Sequence, residues 1–442
     1  MLVHRANPRQ FSASFIKVFC TLLCITLFLL VPAWAASTEK ILWTFEKGQD
    51  GAHPIGTLVF DAAGNLYGTT QTGGSPTCGP DGKGGCGTAY RLSPMPDGTW
   101  KERVLHHFTG GPDGAAPYTG VIRDAAGNLY GTTTAGGNNL GFGDGVVFQL
   151  SPGARDVWTE TLLHTFGTPP RDGFAPQGLL IFDRKGNLYG TTYQGSNPCN
   201  TGTVFRLSPN PQGGWTEKIL HCFSYANSSL DGTYPIAGLT IDDTGTLFGT
   251  TYLGGGQDNC CGTIFQLTSS GGKWTESVLH NFTHGGDGLD PVAGLISDKN
   301  GNLFGTAPYA GANGFGAVYE LTQSGGTWTE QIIYSFKGAP DAAGPWVGSL
   351  VFDQAGNLYG TTSYGGTSAN CRSYGCGTVF KFTPTQNGWQ ESVVYSFPGG
   401  ASGASPFGGV VLDQHGNLYG TTYSGGSKHC RHGCGVAFEI IP

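Results

Sequence analysis

Gly186-Asn187-Leu188-Tyr189-Gly190-Thr191-Thr192 is the stretch on which the fold turns, because it returns along the whole chain. The same seven residues begin at Gly64, Gly127, Gly356 and Gly416. Close variants begin at Gly245 (GTLFGTT) and Gly301 (GNLFGTA), so successive copies lie 55 to 63 residues apart. A period of that size points to a repeat architecture before any local reading is made. Around this copy, Leu179 to Phe182 is a β-rich run closed by Asp183-Arg184-Lys185-Gly186-Asn187, where Asp accepts backbone donors and Gly supplies the positive φ of a tight hairpin. Leu188 to Thr192 follows, then a Gly-, Asn- and Cys-bearing loop. Thr203 to Leu207, a turn ending in Gly213-Gly214, and Trp215 to Phe223 complete the unit. Four short antiparallel strands per unit, seven times over, predict an all-β, seven-bladed β-propeller.

The two ends supply an independent argument. The last copy stops on Gly435-Val436-Ala437-Phe438-Glu439-Ile440, a third strand without a fourth. Thr38-Glu39-Lys40-Ile41-Leu42-Trp43-Thr44-Phe45 matches the fourth strand Thr216 to Phe223. The N-terminal strand is therefore expected to complete the last blade and close a ring that has no open sheet edge. A strand that docks last belongs at the rim, which puts the first strand of each unit at the axis. Small residues where those first strands begin (Thr57, Gly120, Gly238, Gly294, Ser349 and Gly409, with Leu179 the exception) suit a crowded centre.

Residues 1–35 read as a signal peptide: a basic start (Arg5, Arg9, Lys17), an apolar run from Val18 to Pro32, and Ala33-Trp34-Ala35 as the cleavage pattern. The run is short for a membrane span. The propeller domain is thus expected over 36–442, without stable membrane insertion after cleavage, in a secreted, periplasmic or cell-surface protein. Cleavage takes the formal charge from −7 to −10, since three basic and no acidic residues leave with the leader. That balance argues against nucleic acid as a partner.

The units resemble the tandem repeats of the GloVer proteins, an exported bacterial group sharing GNLYGTT-x-x-GG, GTVF-x-L and W-T-E-x-x-L-H-x-F and differing in how its members are anchored. The resemblance covers essentially the whole chain after the leader and implies the propeller fold and export. It brings no activity and no catalytic residue. A weaker similarity links the repeat to sensor and NHL-type propellers. The chain has no C-terminal sorting segment, which suggests release or periplasmic residence.

Candidate chemistry is sparse. His106, His164, His221 and His280 share one place on the fourth strand, held elsewhere by Trp43, Tyr334 and Tyr395. A place that accepts all three types is read as wanting a flat ring for packing, not a nitrogen lone pair. Asp61, Asp124, Asp183, Asp242, Asp298, Asp353 and Asp413 bring one carboxylate per turn, too few for calcium, and are read as turn caps. A second series, Asp50, Asp113, Asp172, Asp231, Asp287 and Asp341, is read as Asx turns ahead of a proline. No metal site and no cofactor is expected.

Disulfides are expected between Cys78 and Cys86, Cys371 and Cys376, and Cys430 and Cys434. The rival at the last pair is zinc in His429-Cys430-Arg431-His432-Gly433-Cys434. Cys199 with Cys222 and a vicinal Cys260–Cys261 bridge are the remaining pairings, a connectivity that spacing alone does not decide.

The loops from fourth to first strand and from second to third vary in content and share one face, where binding by a rigid scaffold is usually found. They carry Tyr118, Phe174, Tyr234, Trp346 and Phe407 beside prolines, and Tyr193, Tyr252, Tyr309, Tyr364 and Tyr423 after the Gly-Thr-Thr strand. These ten rings are the candidate ligand site, with packing between blades as the competing role. Charged residues there are few: Asp144, Arg171, Asp258, Asp290 and Arg372. The function expected is therefore non-catalytic binding of a glycan or protein by a monomer. The alternatives are a structural envelope component or a glycan hydrolase or lyase, which needs a paired acid and base.

Overall fold

The computed structural model describes residues 37–442 apart from 75–77, 79–83, 138–143, 168–171, 228–230, 257–259, 284–285 and 372–373. The leader, its cleavage site, Arg171, Asp258 and Arg372 lie outside these residues. Seven four-stranded antiparallel sheets account for the repeat. In the third blade Ile181–Phe182, Leu188–Thr192, Thr203–Pro209 and Trp215–Cys222 pair in sequence order, with Leu188 opposite Leu207 and Thr203 opposite Cys222. Thr38–Thr44 pairs with Val436–Ile441 as the outer strand of the last sheet, Thr38 opposite Ile441 and Thr44 opposite Val436. The ring is closed as the two ends require.

The first strand is shorter than expected, two residues in place of four. Its leading residues turn toward the axis, where backbones of neighbouring blades meet. A Cβ at Gly178 would stand 2.5 Å from the Ala237 carbonyl oxygen, and one at Gly56 only 1.9 Å from the Gly120 nitrogen. Across the closure, the Gly409 N–H donates to Thr57 Oγ1 at 3.2 Å. The space left on the axis is about 30 Å³, lined by residues such as Gly56, Gly120, Leu179, Gly238, Val292 and Ser349. That volume suits a water or two, so the space on the axis is too small to admit a ligand.

The hydrophobic core is divided into seven clusters, one at each blade junction. Phe223, fully buried at the end of the third blade, packs edge-on against Phe265 of the fourth at 5.4 Å between centroids. The same pair recurs as Phe45–Tyr90, Phe108–Phe148, Phe166–Phe205, Phe282–Tyr319, Phe336–Phe380 and Phe397–Phe438. The turn aspartates cap as expected. Asp183 Oδ1 accepts from the N–H of Lys185 and Asn187 at 2.8 and 2.9 Å, and Oδ2 accepts from Asn187 Nδ2 and the Tyr189 hydroxyl.

Ten cysteines lie in five bonded pairs: Cys78–Cys86, Cys199–Cys222, Cys260–Cys261, Cys371–Cys376 and Cys430–Cys434. Among the described residues no helix is long and apolar enough to cross a membrane.

Candidate functional site: the loop face and the blade junctions

The loop face is organised by one backbone device. The residue before each proline that opens an inner strand (His53, Ala116, Ala175, Tyr234, Asp290, Gly344 and Ser405) adopts a positive φ of 50° to 63°. Six of these seven are not glycine, and a non-glycine residue held there stores strain. What holds it is a hydrogen bond across the junction. The N–H of His53 donates to the Cys434 carbonyl, that of Ala116 to Cys86, that of Tyr234 to Thr201 and that of Ser405 to Cys376, each at 2.8 Å. The same backbone state at seven positions, carrying six residue types, makes a crown around the plugged axis. Sequence reasoning finds only a proline-set strand start in this segment, and of the crown only Tyr234 is among the candidate rings. The residue before each repeated proline is the signal that could have found the others.

Aromatic rings extend the crown. His53 meets Tyr423 at 4.5 Å, Tyr423 meets Phe407 at 5.2 Å, Phe407 meets Trp346 at 6.1 Å and Trp346 meets Tyr309 at 5.6 Å. On the far side Tyr193 stacks on Tyr234 at 4.9 Å, and the Tyr225 and Tyr234 hydroxyls are hydrogen-bonded. Burial first, and then neighbouring charges, raise the phenols of Tyr252 and Tyr309. Asp290 is one such neighbour of both, and Tyr193 also acts on Tyr252. Burial likewise raises Tyr118, with Tyr423 adding to it. Phe174 is half-buried in a short ribbon opposite Gln194, and Tyr364, 39% exposed, contacts Tyr374 at 6.1 Å. Tyr118, Tyr193, Tyr234, Tyr252, Tyr309, Trp346, Phe407 and Tyr423 thus share one surface, while Phe174 and Tyr364 sit in its loop ribbons.

The second polar arrangement lies between blades. In the third blade Val204 opposes His221 and Phe205 opposes Ile219, so Leu220 is an extra residue in the fourth strand. The same irregularity occurs in every blade. One extra residue reverses the alternation of side chains beyond it. Glu217 therefore looks back to His164 of the preceding blade at 3.5 Å, and His221 looks forward to Asp231 at 3.1 Å.

His106, His164 and His280 reach Asp113, Asp172 and Asp287 at 3.2 to 3.3 Å. Trp43 Nε1 donates to Asp50 and the Tyr334 hydroxyl to Asp341. The ring packs as read from the sequence, and in six of the seven blades its polar atom also faces the aspartate of the following loop, while the Tyr395 hydroxyl donates to Glu39 at 3.0 Å. Asp50, Asp113, Asp287 and Asp341 also accept from the backbone N–H four residues earlier, as Asp113 does from Thr109 at 2.9 Å. Burial pushes Glu102, Glu160, Glu217, Glu330 and Glu391 up to about 7 and Glu276 up to about 8. His106 and His164 oppose the rise at Glu160 and Glu217, and a nearby aspartate adds to it in every case.

Against known proteins, residues 77–275 and 255–442 match the Gloeobacter/Verrucomicrobia repeat. The chain belongs to that repeat family. No curated protein sequence matches it. Solved structures similar to this repeat protein include a 6-phosphogluconolactonase candidate from Bacteroides uniformis, 13% identical, over 76% of this chain and 83% of that one, with a TM-score of 0.46. A glucose dehydrogenase-type oxidoreductase candidate from Thermus thermophilus is 14% identical over 92% of this chain and all of that one, at 0.41. PorZ, a surface component of the type-IX secretion system of Porphyromonas gingivalis, is 12% identical over 86% of this chain and 46% of that one, at 0.45. At these scores none bears on what the Gloeobacter/Verrucomicrobia repeat protein does.

Within this repeat protein the zinc reading of the last loop loses its thiols, since Cys430 is bonded to Cys434, and His429 Nδ1 is hydrogen-bonded to Ser427 at 3.0 Å.

Proposed function

We propose that this propeller is an exported, non-catalytic binding protein that takes a neutral glycan across the loop face. The observation carrying the reading is the run of rings His53, Tyr423, Phe407, Trp346 and Tyr309, in contact in that order beside the plugged axis. Aromatic faces with polar tips and few charges suit stacking on sugar rings. With the axis closed, a ligand lies over the crown rather than inside the ring. Trp346 Nε1 and both His53 nitrogens have no hydrogen-bond partner beneath this surface, and sugar hydroxyls or the water they hold would satisfy them. Five disulfides fit an oxidising compartment.

A glycan array probed with the purified protein and with a Trp346→Ala, Tyr423→Ala variant tests the reading. Selective binding by the parent, weakened by about tenfold or more in the variant, is the expected result. A well-folded parent that binds no glycan refutes the glycan reading and shifts the face to a protein partner.

A further inference from the structure

We propose that the His106–Asp113–Glu160 and His164–Asp172–Glu217 junctions are two divalent-metal sites, zinc the first choice, that clamp successive blades. In each, His and Asp belong to one blade and its outgoing loop, and Glu to the fourth strand of the next. His106 Nε2 lies 3.3 Å from Asp113 Oδ2 and 3.8 Å from Glu160 Oε1. His164 Nε2 lies 3.3 Å from Asp172 Oδ1 and 3.5 Å from Glu217 Oε1. In both sets the three ligand atoms lie within 4.8 Å of one another, and among the described residues these two junctions meet that condition.

Charge-assisted hydrogen bonds run to about 2.7–2.9 Å, so these separations are long for ion pairs. Three of the four fall at the roughly 3.3–3.5 Å between adjacent ligand atoms of a tetrahedral ion with bonds of about 2.0–2.2 Å, and the fourth, His106 to Glu160, is 3.8 Å. A second observation is independent of spacing. His106 Nε2, Glu160 Oε1 and Glu217 Oε1 are shielded from solvent without a hydrogen-bond partner in the structure. Charge agrees too: two carboxylates and a neutral imidazole carry a charge that a dication cancels, the condition under which buried carboxylates are tolerated. Three protein ligands leave the fourth position for water.

His221 and His280 make the same aspartate contact, whereas Tyr334 replaces the imidazole with a hydroxyl that donates to Asp341 at 3.0 Å. The fold therefore accepts Tyr at this place, which supplies a variant that keeps the strut and removes the nitrogen ligand. After EDTA treatment and its removal, the purified protein is titrated with zinc, and bound metal is counted by elemental analysis after dialysis. The parent is expected to hold about two ions more than the double variant His106→Tyr, His164→Tyr, with each single variant losing about one. Zinc should also raise the melting temperature of the parent and not of the double variant. Equal zinc uptake by parent and double variant overturns the proposal, as does a parent that takes up none. If a Tyr variant fails to fold, Glu160→Gln with Glu217→Gln carries the same expectation and the same refutation.

Discussion

Gly186 and Gly190 occupy one seven-residue motif and are required for different reasons. Gly186 sits at φ +79° and a Cβ placed on it would meet nothing within 4 Å, so its limit is conformational. Gly190 lies outside the left-handed region, but a Cβ there would stand 2.6 Å from Phe205 Cζ and 2.9 Å from Leu180 Cδ2. Gly186→Ala is expected to cost about 1–2 kcal/mol through the left-handed backbone. Gly190→Ala should cost about 1–3 kcal/mol by forcing the Phe205 ring out of the core. Urea unfolding separates the causes, because Phe205→Leu in the same chain should relieve the second substitution and leave the first unchanged. Both glycines recur visibly in the repeat. Which of them is turn and which is packing depends on where Phe205 lies across the sheet.

At the scale of the strand, the bulge before each His, Trp or Tyr decides the polar junctions. Leu163 is 7% exposed in the cluster containing Phe166 and Phe205. Truncation by Leu163→Ala should cost about 2–5 kcal/mol as a buried cavity. Urea unfolding of this variant measures the cost, and a loss under about 1 kcal/mol would mean that the bulged Leu163 does not fill the junction. Deleting Leu163 instead would leave Glu160 and His164 three residues apart and still on opposite faces, so the bulge is what lets residues four apart face different junctions. The strands themselves are legible in the repeat, since hairpin turns and alternating Trp215, Glu217 and Ile219 mark them. The bulge is not, because Leu-His-x-Phe reads equally well as continued strand.

Across the whole ring, six inter-blade glutamates give stability a common pH dependence. The ordinary value is 4.5, and burial raises Glu102, Glu160, Glu217, Glu330 and Glu391 to about 7 and Glu276 to about 8. The folded state thus keeps protons that the unfolded chain releases. The contribution is complete below 4.5 and is lost as pH rises through 7 to 8. Asp61, Asp124, Asp183 and Asp353 run the other way: burial pushes each carboxyl up, but turn hydrogen bonds outweigh it and hold the group below its ordinary 3.8, so their contribution fades below that pH. Melting in EDTA is expected to be highest near about pH 5 and lower at about pH 8.5. A higher melting point at the alkaline end would contradict the burial of these groups.

The sequence alone determined the number of blades, the four strands of each, the turn caps and the closure of the ring by Thr38–Thr44. All of these follow from local pattern repeated at a fixed period, and an unmatched strand at each end has one place to go. It also brought most of the aromatic crown onto one face, because loops of one kind project from one end of every blade. Only the tertiary structure decided that the axis is plugged, that His53, Tyr234 and Asp290 share a strained backbone state, and that His164 faces Glu217 across a junction. Those facts concern residues from different blades, and their approach depends on the radius of the ring and on a one-residue bulge. Repeat spacing carries neither quantity.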